Sequence, residues 1–373
     1  VRSNINPITF ALALLTLLGL TAGVYRLIFG MGPTTNLTDA YPWGLWIGFD
    51  FALIAFAGAG FTMATAVYVL RRESVRPAMR PAILAGLLGY LAVLLLLILD
   101  LGRWDRFYSF FINWNIHSPL FEISWCIVLY STVLLVEFSP QLFERLGKER
   151  PVRWVYAIVI PLVIAGLTLS SLHQSTLGTL YLNMPHRLHP LWYSPILPLL
   201  FFTSSVLAGL SLAIIAYRVG ARAAHRPVEA NVLDGLAKGV VGAALVYGLL
   251  KLGEIVAAGE ASLLLAADRY SLLLWTEMLL GVILPIAIFL RPARRHNPAW
   301  LWTGALLALF GVLLNRFDAT WFAQIGPTWT GYVPHHLEWL STLGVIAGAM
   351  LVWWLGVRYL SVFDSDAHKK YHH

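Results

Sequence analysis

Asp50, Asp100, Glu122 and His173, with Arg103, His117 and Gln174 beside them, are the side chains best suited to proton chemistry, and each lies within or at the end of an apolar stretch. An ionisable group inside a membrane-length apolar run is expensive to keep, so each is a candidate for function. Trp46 precedes Asp50 by four residues and Cys126 follows Glu122 by four, so each pair shares a helix face. Carboxyl, imidazole and amide groups among Trp and Phe make a site able to hydrogen-bond a ligand and exchange protons with it. Plainer roles compete for some of them. Arg103 and His117 also suit a membrane interface, and Asp100 with Arg103 suits an i,i+3 ion pair. A thinner set comes later: Lys251 and Glu254 three residues apart, Glu277, and His335, His336 and Glu338. Lys251 and Glu254 read most simply as an intramembrane ion pair; with Glu277 they are also a candidate proton path.

No metal site is expected. The single cysteine, Cys126, cannot cross-link the fold or hold an iron–sulfur cluster, which takes four ligands. Any such cluster would belong to a partner. The tail from His368 to His373 is weakly metal-like and reads better as a disordered end.

The elements that position these residues follow from composition. Hydrophobic residues make up 58% of the 373 and charged residues 12%, about half the charged share of an ordinary soluble domain. A chain this apolar has no polar face for water, so its solvent is lipid. Runs of about 20 apolar residues, the length that crosses a hydrocarbon core, fall near 7–29, 45–70, 82–101, 119–138, 152–177, 193–217, 232–258, 270–290, 298–315 and 333–358. The first is too long for a removable signal peptide and reads as a retained helix.

Eighteen Lys and Arg fall on one side of this ten-span topology: Arg2, Arg71, Arg72, Arg76, Arg80, Arg145, Lys148, Arg150, Arg153, Arg218, Arg222, Arg226, Arg291, Arg294, Arg295, Arg358, Lys369 and Lys370. Six fall on the other: Arg26, Arg103, Arg106, Arg187, Arg269 and Arg316. That bias places the basic side and both termini in the cytoplasm. The net charge of +7 is thereby a topology signal; clusters between apolar runs argue against nucleic acid as a partner. The opposite loops carry Tyr41, Trp43, Trp46, Trp104, Trp114, Trp192, Tyr193, Trp321 and Trp329, most of which suit an interfacial belt. With this topology Asp50 lies about two helical turns below the outer surface. Asp100, Glu122 and His173 arrive at the same level, so four consecutive spans are expected to form a polar cup open outward.

Five strings together resemble the NrfD/polysulfide-reductase family of membrane subunits: Tyr41-Pro-Trp-Gly-Leu-Trp-Ile-Gly-Phe-Asp50, Leu99-Asp-Leu-Gly-Arg103, His117-Ser-Pro-Leu-Phe-Glu-Ile-Ser-Trp-Cys126, Leu172-His-Gln-Ser-Thr-Leu-Gly178 and Leu188-His-Pro-Leu-Trp-Tyr-Ser-Pro195. Within it the chain is most similar to the membrane subunits of hydrogenase-2-class nickel–iron hydrogenases. The resemblance implies an all-α integral membrane protein in which spans 2–5 and 6–9 form two four-helix bundles flanked by spans 1 and 10. The corresponding divisions are 1–35, 36–180, 181–316 and 317–373. It also implies quinone chemistry (menaquinone or ubiquinone as substrate) at the outer end of the first bundle. Asp50, Glu122 and His173 would be the reacting groups there, and Trp46, Asp100, Arg103, His117 and Gln174 the binding groups. The implied partners are a periplasmic iron–sulfur subunit and the catalytic subunits of a hydrogenase in a bacterial or archaeal cytoplasmic membrane, with no haem in this chain. A haem b cytochrome and a proton-coupled transporter are the competing readings.

Overall fold

The computed structural model describes residues 6–325 and 331–363; Arg2, Trp329, Lys369, Lys370 and the histidine tail lie outside them. Among the described residues ten helices are long and apolar enough to cross a membrane: α1 (Pro7–Phe29), α2 (Leu45–Val69), α3 (Glu73–Asp100), α4 (Pro119–Arg145), α5 (Val159–Leu182), α6 (Leu197–Ala223), α7 (Ala230–Ala257), α8 (Arg269–Phe289), α9 (Pro298–Phe322) and α10 (His336–Tyr359). The protein is therefore an all-α, multi-pass integral membrane protein. Local sequence sets several starts. Asn6 accepts from the Ile8 amide ahead of Pro7, Asp268 from that of Ser271 at 2.8 Å, and Asn297 from that of Ala299 ahead of Pro298. At α10, His335 Nδ1 accepts from the Leu337 amide while Glu338 accepts from the His335 amide, a reciprocal cap.

Helices α2–α5 form one ring, each packing on the next and α5 closing on α2; α6–α9 form a second. The rings share a seam in which α2 meets α6 and α9, and α3 and α5 meet α6. Helix α10 lies against α3, and α1 lies against α10 and α3. The α1–α10 contact is backbone-close: a Cβ placed on Gly19 would stand 2.4 Å from the Gly344 Cα. Only glycine at both positions allows it.

One end of the structure is basic. There Arg80 donates to both Glu144 oxygens, to the Tyr156 hydroxyl and to the Ser361 carbonyl, tying together α3, α4, the short helix Glu149–Ala157 and the chain after α10. Two arginines counted on the aromatic side are not in its loops. Arg26 lies in α1 and Arg316 in α9, at 1% and 0% exposure, which leaves the loops of the aromatic end still poorer in positive charge. Helix α9 also runs past its expected end at 315, its last turn, Asp318–Phe322, being a π-turn. Such turns recur at functional positions.

Candidate functional site

The expected single cup divides into two sites on opposite sides of α2 and α3. The first lies where α1, α2, α3 and α10 meet. Trp46 is fully buried and its indole donates to Ser341 Oγ of α10 at 3.1 Å. One turn further along α2, Asp50 is buried and neither carboxylate oxygen has a protein partner. Asp100 at the end of α3 interacts electrostatically with Asp50, with Arg26 and with Glu338, and one of its oxygens is also unpartnered. Arg26 donates one hydrogen bond, to the Leu101 carbonyl at 2.8 Å, and lies over the Trp46 ring at 5.9 Å. Its Nε and second terminal nitrogen have no partner. Glu338 is fully engaged: it accepts from the Asn36 amide at 2.9 Å, from the His335 amide and from the Tyr332 hydroxyl. Burial and that carboxylate hold the Tyr332 phenol well above its ordinary range, so it serves as a donor.

The second site is inside the first bundle. His173 is fully buried; its Nδ1 faces the Tyr90 hydroxyl at 3.1 Å, and its Nε2 has no partner. Gln174 donates to the Ile54 carbonyl of α2 at 2.8 Å and leaves its own oxygen unpartnered. Glu122 is apart from both sites, at the α4–α5 seam, where it accepts from Thr176 at 2.9 Å. His117 is exposed. Arg103 is exposed and pairs with Asp105 rather than Asp100, at 2.6 Å, because the chain leaves the helix at Leu101 and turns Arg103 outward.

A third polar cluster occupies the second bundle. Lys251 does not pair with Glu254: its ammonium donates to the Leu191 carbonyl at 2.7 Å and lies over Trp192, while Glu254 is only half-buried. Glu277 accepts from Tyr247 at 2.5 Å, Asn315 at 3.1 Å and Trp192 at 3.3 Å. Arg316 donates to Asn315, to Ser204 and to the Phe201 carbonyl, while both oxygens of buried Asp318 are unpartnered. Since Glu277 satisfies three buried donors, Glu277→Leu orphans all of them, at roughly 1–3 kcal/mol per group. Loss of most of the folded, monodisperse protein in size-exclusion chromatography is expected, with Glu277→Gln nearer wild type. Equal recovery of Glu277→Leu and wild type would contradict this role. Among the described residues no three His, Cys, Asp or Glu gather as a metal site.

Reasoning from sequence missed Arg26 and Tyr332 at the first site, and grouped Glu338 with the later helices rather than with Asp50 and Asp100; it missed Tyr90 at the second site, and Tyr247, Asn315, Arg316 and Asp318 at the third. Arg26 was findable, because it falls inside the first apolar run. Asp318 was not, since the helix outlasts the apolar run that marks it.

A polytopic helical protein with two four-helix bundles and buried, unpartnered acid and base groups among its helices is the class that fold and site define. The polysulphide reductase, NrfD, family profile matches residues 33–324, and the chain belongs to this family. It is 32% identical to the "Probable Ni/Fe-hydrogenase 2 b-type cytochrome subunit" of Escherichia coli (strain K12), over 91% of this chain and 88% of that protein. It is 29% identical to the "Menaquinone reductase, integral membrane subunit" of Nitratidesulfovibrio vulgaris (strain Hildenborough), over 94% of this chain and 90% of that one. At 24% identity, over 95% and 93%, it is also similar to the "Hdr-like menaquinol oxidoreductase integral membrane subunit" of Archaeoglobus fulgidus.

Proposed function

We propose that this chain is the quinone-reactive membrane subunit of a respiratory oxidoreductase, passing electrons between a periplasmic iron–sulfur partner, in our reading that of a nickel–iron hydrogenase, and the menaquinone or ubiquinone pool. One observation carries the assignment: unpartnered nitrogens of Arg26 and unpartnered oxygens of Asp50 and Asp100 are buried together at one end of the first bundle. A quinone carbonyl needs a donor, and a quinol hydroxyl needs a proton acceptor. A guanidinium beside two carboxylates supplies both. Helix α1, whose inner face carries Arg26, is the least buried span, 17% of its apolar window being covered, so the site lies one helix in from the lipid that carries the quinone. Trp46 closes it on the protein side.

The basic end is assigned to the cytoplasm, together with both termini, in a bacterial or archaeal inner membrane. The aromatic end would then face the periplasm and receive the partner. The divisions 1–35, 36–180, 181–316 and 317–373 would serve as lipid-side cover, quinone bundle, second bundle and final span. Haem does not fit these residues. His173 is the only described histidine in the interior of a span, it is enclosed against Tyr90, and His117 is exposed at a loop.

Titrating the purified chain with a fluorescent quinol analogue tests the assignment. Saturable binding is expected, weakened at least tenfold by Asp50→Asn, about 1.4 kcal/mol, and less by His173→Ala. The reverse ranking would move the head group into the first bundle. Equal binding by all three proteins would place the head group away from both residues, and absent binding in all three would refute the quinone assignment.

A further inference from the structure

The buried and half-buried arginines of the basic end are answered by acceptors, with one exception. Arg76 pairs with Glu73, Arg80 with Glu144, and Arg295 with Asp234 and the Phe289 carbonyl, while Arg294 reaches the Ala287 carbonyl at 3.3 Å. Arg218, in the penultimate turn of α6, is 5% exposed and its Nε is buried without a partner. Among the described residues no hydrogen bond or ion pair reaches its guanidinium at all. It lies over the Trp302 ring of α9, its Cζ 5.9 Å from the centroid. The charged group that acts on it is Arg222, exposed and one turn further along the same helix. Like charges four residues apart repel, and among the described residues no carboxylate pairs with either. A guanidinium carries five N–H donors in a planar fork, and stacking on an indole uses its face and none of them. Depth narrows what could answer those donors. Arg218 lies five residues before the end of α6 and Trp302 four residues after the start of α9. Helix α9, 25 residues long, spans about 37 Å against a hydrocarbon core of about 30 Å. One turn inside its end is therefore the boundary between lipid headgroups and acyl chains. From Trp302 the same face of α9 continues towards the middle of the membrane as Leu306 and Phe310, 51% and 45% exposed.

We propose that Arg218, Arg222 and Trp302 form a binding site for the phosphodiester of an anionic phospholipid at the α6–α9 edge of the second bundle. A phosphate group presents its oxygens to a guanidinium two at a time, a match that a lone carbonyl or water does not offer. Arg218 holds the phosphate from the protein side and Arg222 closes on it from the rim, so one negative charge relieves the repulsion between the two arginines. An acyl chain follows Trp302, Leu306 and Phe310 into the bilayer, which is what separates a lipid from a free anion at this place. Two adjacent cations also oppose an ammonium, so a glycerol headgroup is taken in preference to choline or ethanolamine. Basic pockets between membrane helices are a recurring place for such headgroups. The bound lipid ties α6 to α9, which already pack on one another, and the site owes nothing to the quinone assignment.

The test titrates the full chain, stripped of co-purifying lipid by detergent exchange, with dioleoylphosphatidylglycerol and reads binding by native mass spectrometry. A saturable addition is expected, with dioleoylphosphatidylcholine at least tenfold weaker. Arg218→Gln should weaken the phosphatidylglycerol addition at least tenfold, about 1.4 kcal/mol, Arg218→Lys less, and Arg222→Gln several-fold. Arg294→Gln is the control. That arginine also stacks on a tryptophan at this end, Trp300 at 4.7 Å, but it has a carbonyl acceptor, so its variant should bind lipid as wild type does. Arg222 is exposed, so Arg222→Gln decides the matter if neither Arg218 variant folds. Undiminished binding in every folded variant of Arg218 and Arg222 would overturn the site, as would equal affinity for phosphatidylcholine. An equal loss in Arg294→Gln would overturn it too, by reducing the effect to net positive charge. Inorganic phosphate is the last arm: displacement of the lipid by phosphate at a comparable concentration would make this a free-anion site and overturn the lipid assignment.

Discussion

Replacing Arg26 by methionine is expected to lower quinone reduction by the assembled complex at least hundredfold, about 2.7 kcal/mol of transition-state stabilisation. Two losses add. The donor for the quinone oxygen goes, and Asp100, which interacts with Asp50, loses the cation that offsets it. Removing one member of a buried charge set costs about 3–5 kcal/mol when the other charge stays ionised. Here the carboxyl groups escape most of that by taking up protons, so the protein is expected to fold with a modest loss of thermal stability. A carboxyl kept protonated cannot accept the quinol proton, and the chemistry suffers more than the fold. Arg26→Lys separates the two losses. It restores the charge without the planar fork that bonds Leu101 and leaves further nitrogens for a ligand, so its turnover should fall between methionine and wild type. Wild-type turnover in a correctly folded Arg26→Met complex would remove this cluster from the reaction.

The helices were legible in the sequence because lipid leaves a blunt signal: every span must be apolar for its full length. The pairing of spans into two rings was legible only through the family resemblance, since hydropathy does not say which helix touches which. The site was half legible. Depth follows from topology, and Asp50, Asp100, Glu122 and His173 do come from α2 to α5. Azimuth does not follow, and it decides what meets what. Asp50 and His173 face different neighbours because Asp50 turns with Trp46 towards α10, whereas His173 turns with Gly166 and Ser170 towards Tyr90. Arg103 and Lys251 show a second limit. Spacing of three residues suggested partners, but a break in the helix at Leu101 and a backbone carbonyl from the Leu191 loop took them elsewhere. The unpartnered hydroxyls of Tyr130, Ser131 and Ser170 in the first bundle could not have been read at all, because Ser, Thr and Tyr inside an apolar run are usually satisfied by their own helix.

One structural signal was present and decides the position of Arg26. Gly19-Leu-Thr-Ala-Gly23 in α1 and Gly344-Val-Ile-Ala-Gly348 in α10 are both small-residue repeats of the kind that lets membrane helices touch backbone to backbone. The residues α1 buries are Gly19, Ala22, Gly23 and Arg26, a single stripe. The stripe that docks the helix therefore also aims its arginine. Gly344→Ala sets a Cβ 2.4 Å from the Gly19 Cα, a collision with backbone that no rotamer relieves. Gly348→Ala meets only the Thr16 side chain, its methyl at 3.1 Å, a contact that a shift of a few tenths of an ångström relieves. The first variant is expected to lose about 1–3 kcal/mol of stability, the range for overpacked sites, and the second much less. Because α1 lies outside both rings, against α10 and α3, Gly344→Ala should stay monodisperse while quinone turnover drops at least tenfold, Arg26 having moved with its helix. Thermal unfolding and turnover measured on the same preparations check this. Equal behaviour of the two variants would mean that α1 is not held by this contact, and unchanged turnover in an undocked Gly344→Ala protein would mean that Arg26 acts without being placed by it.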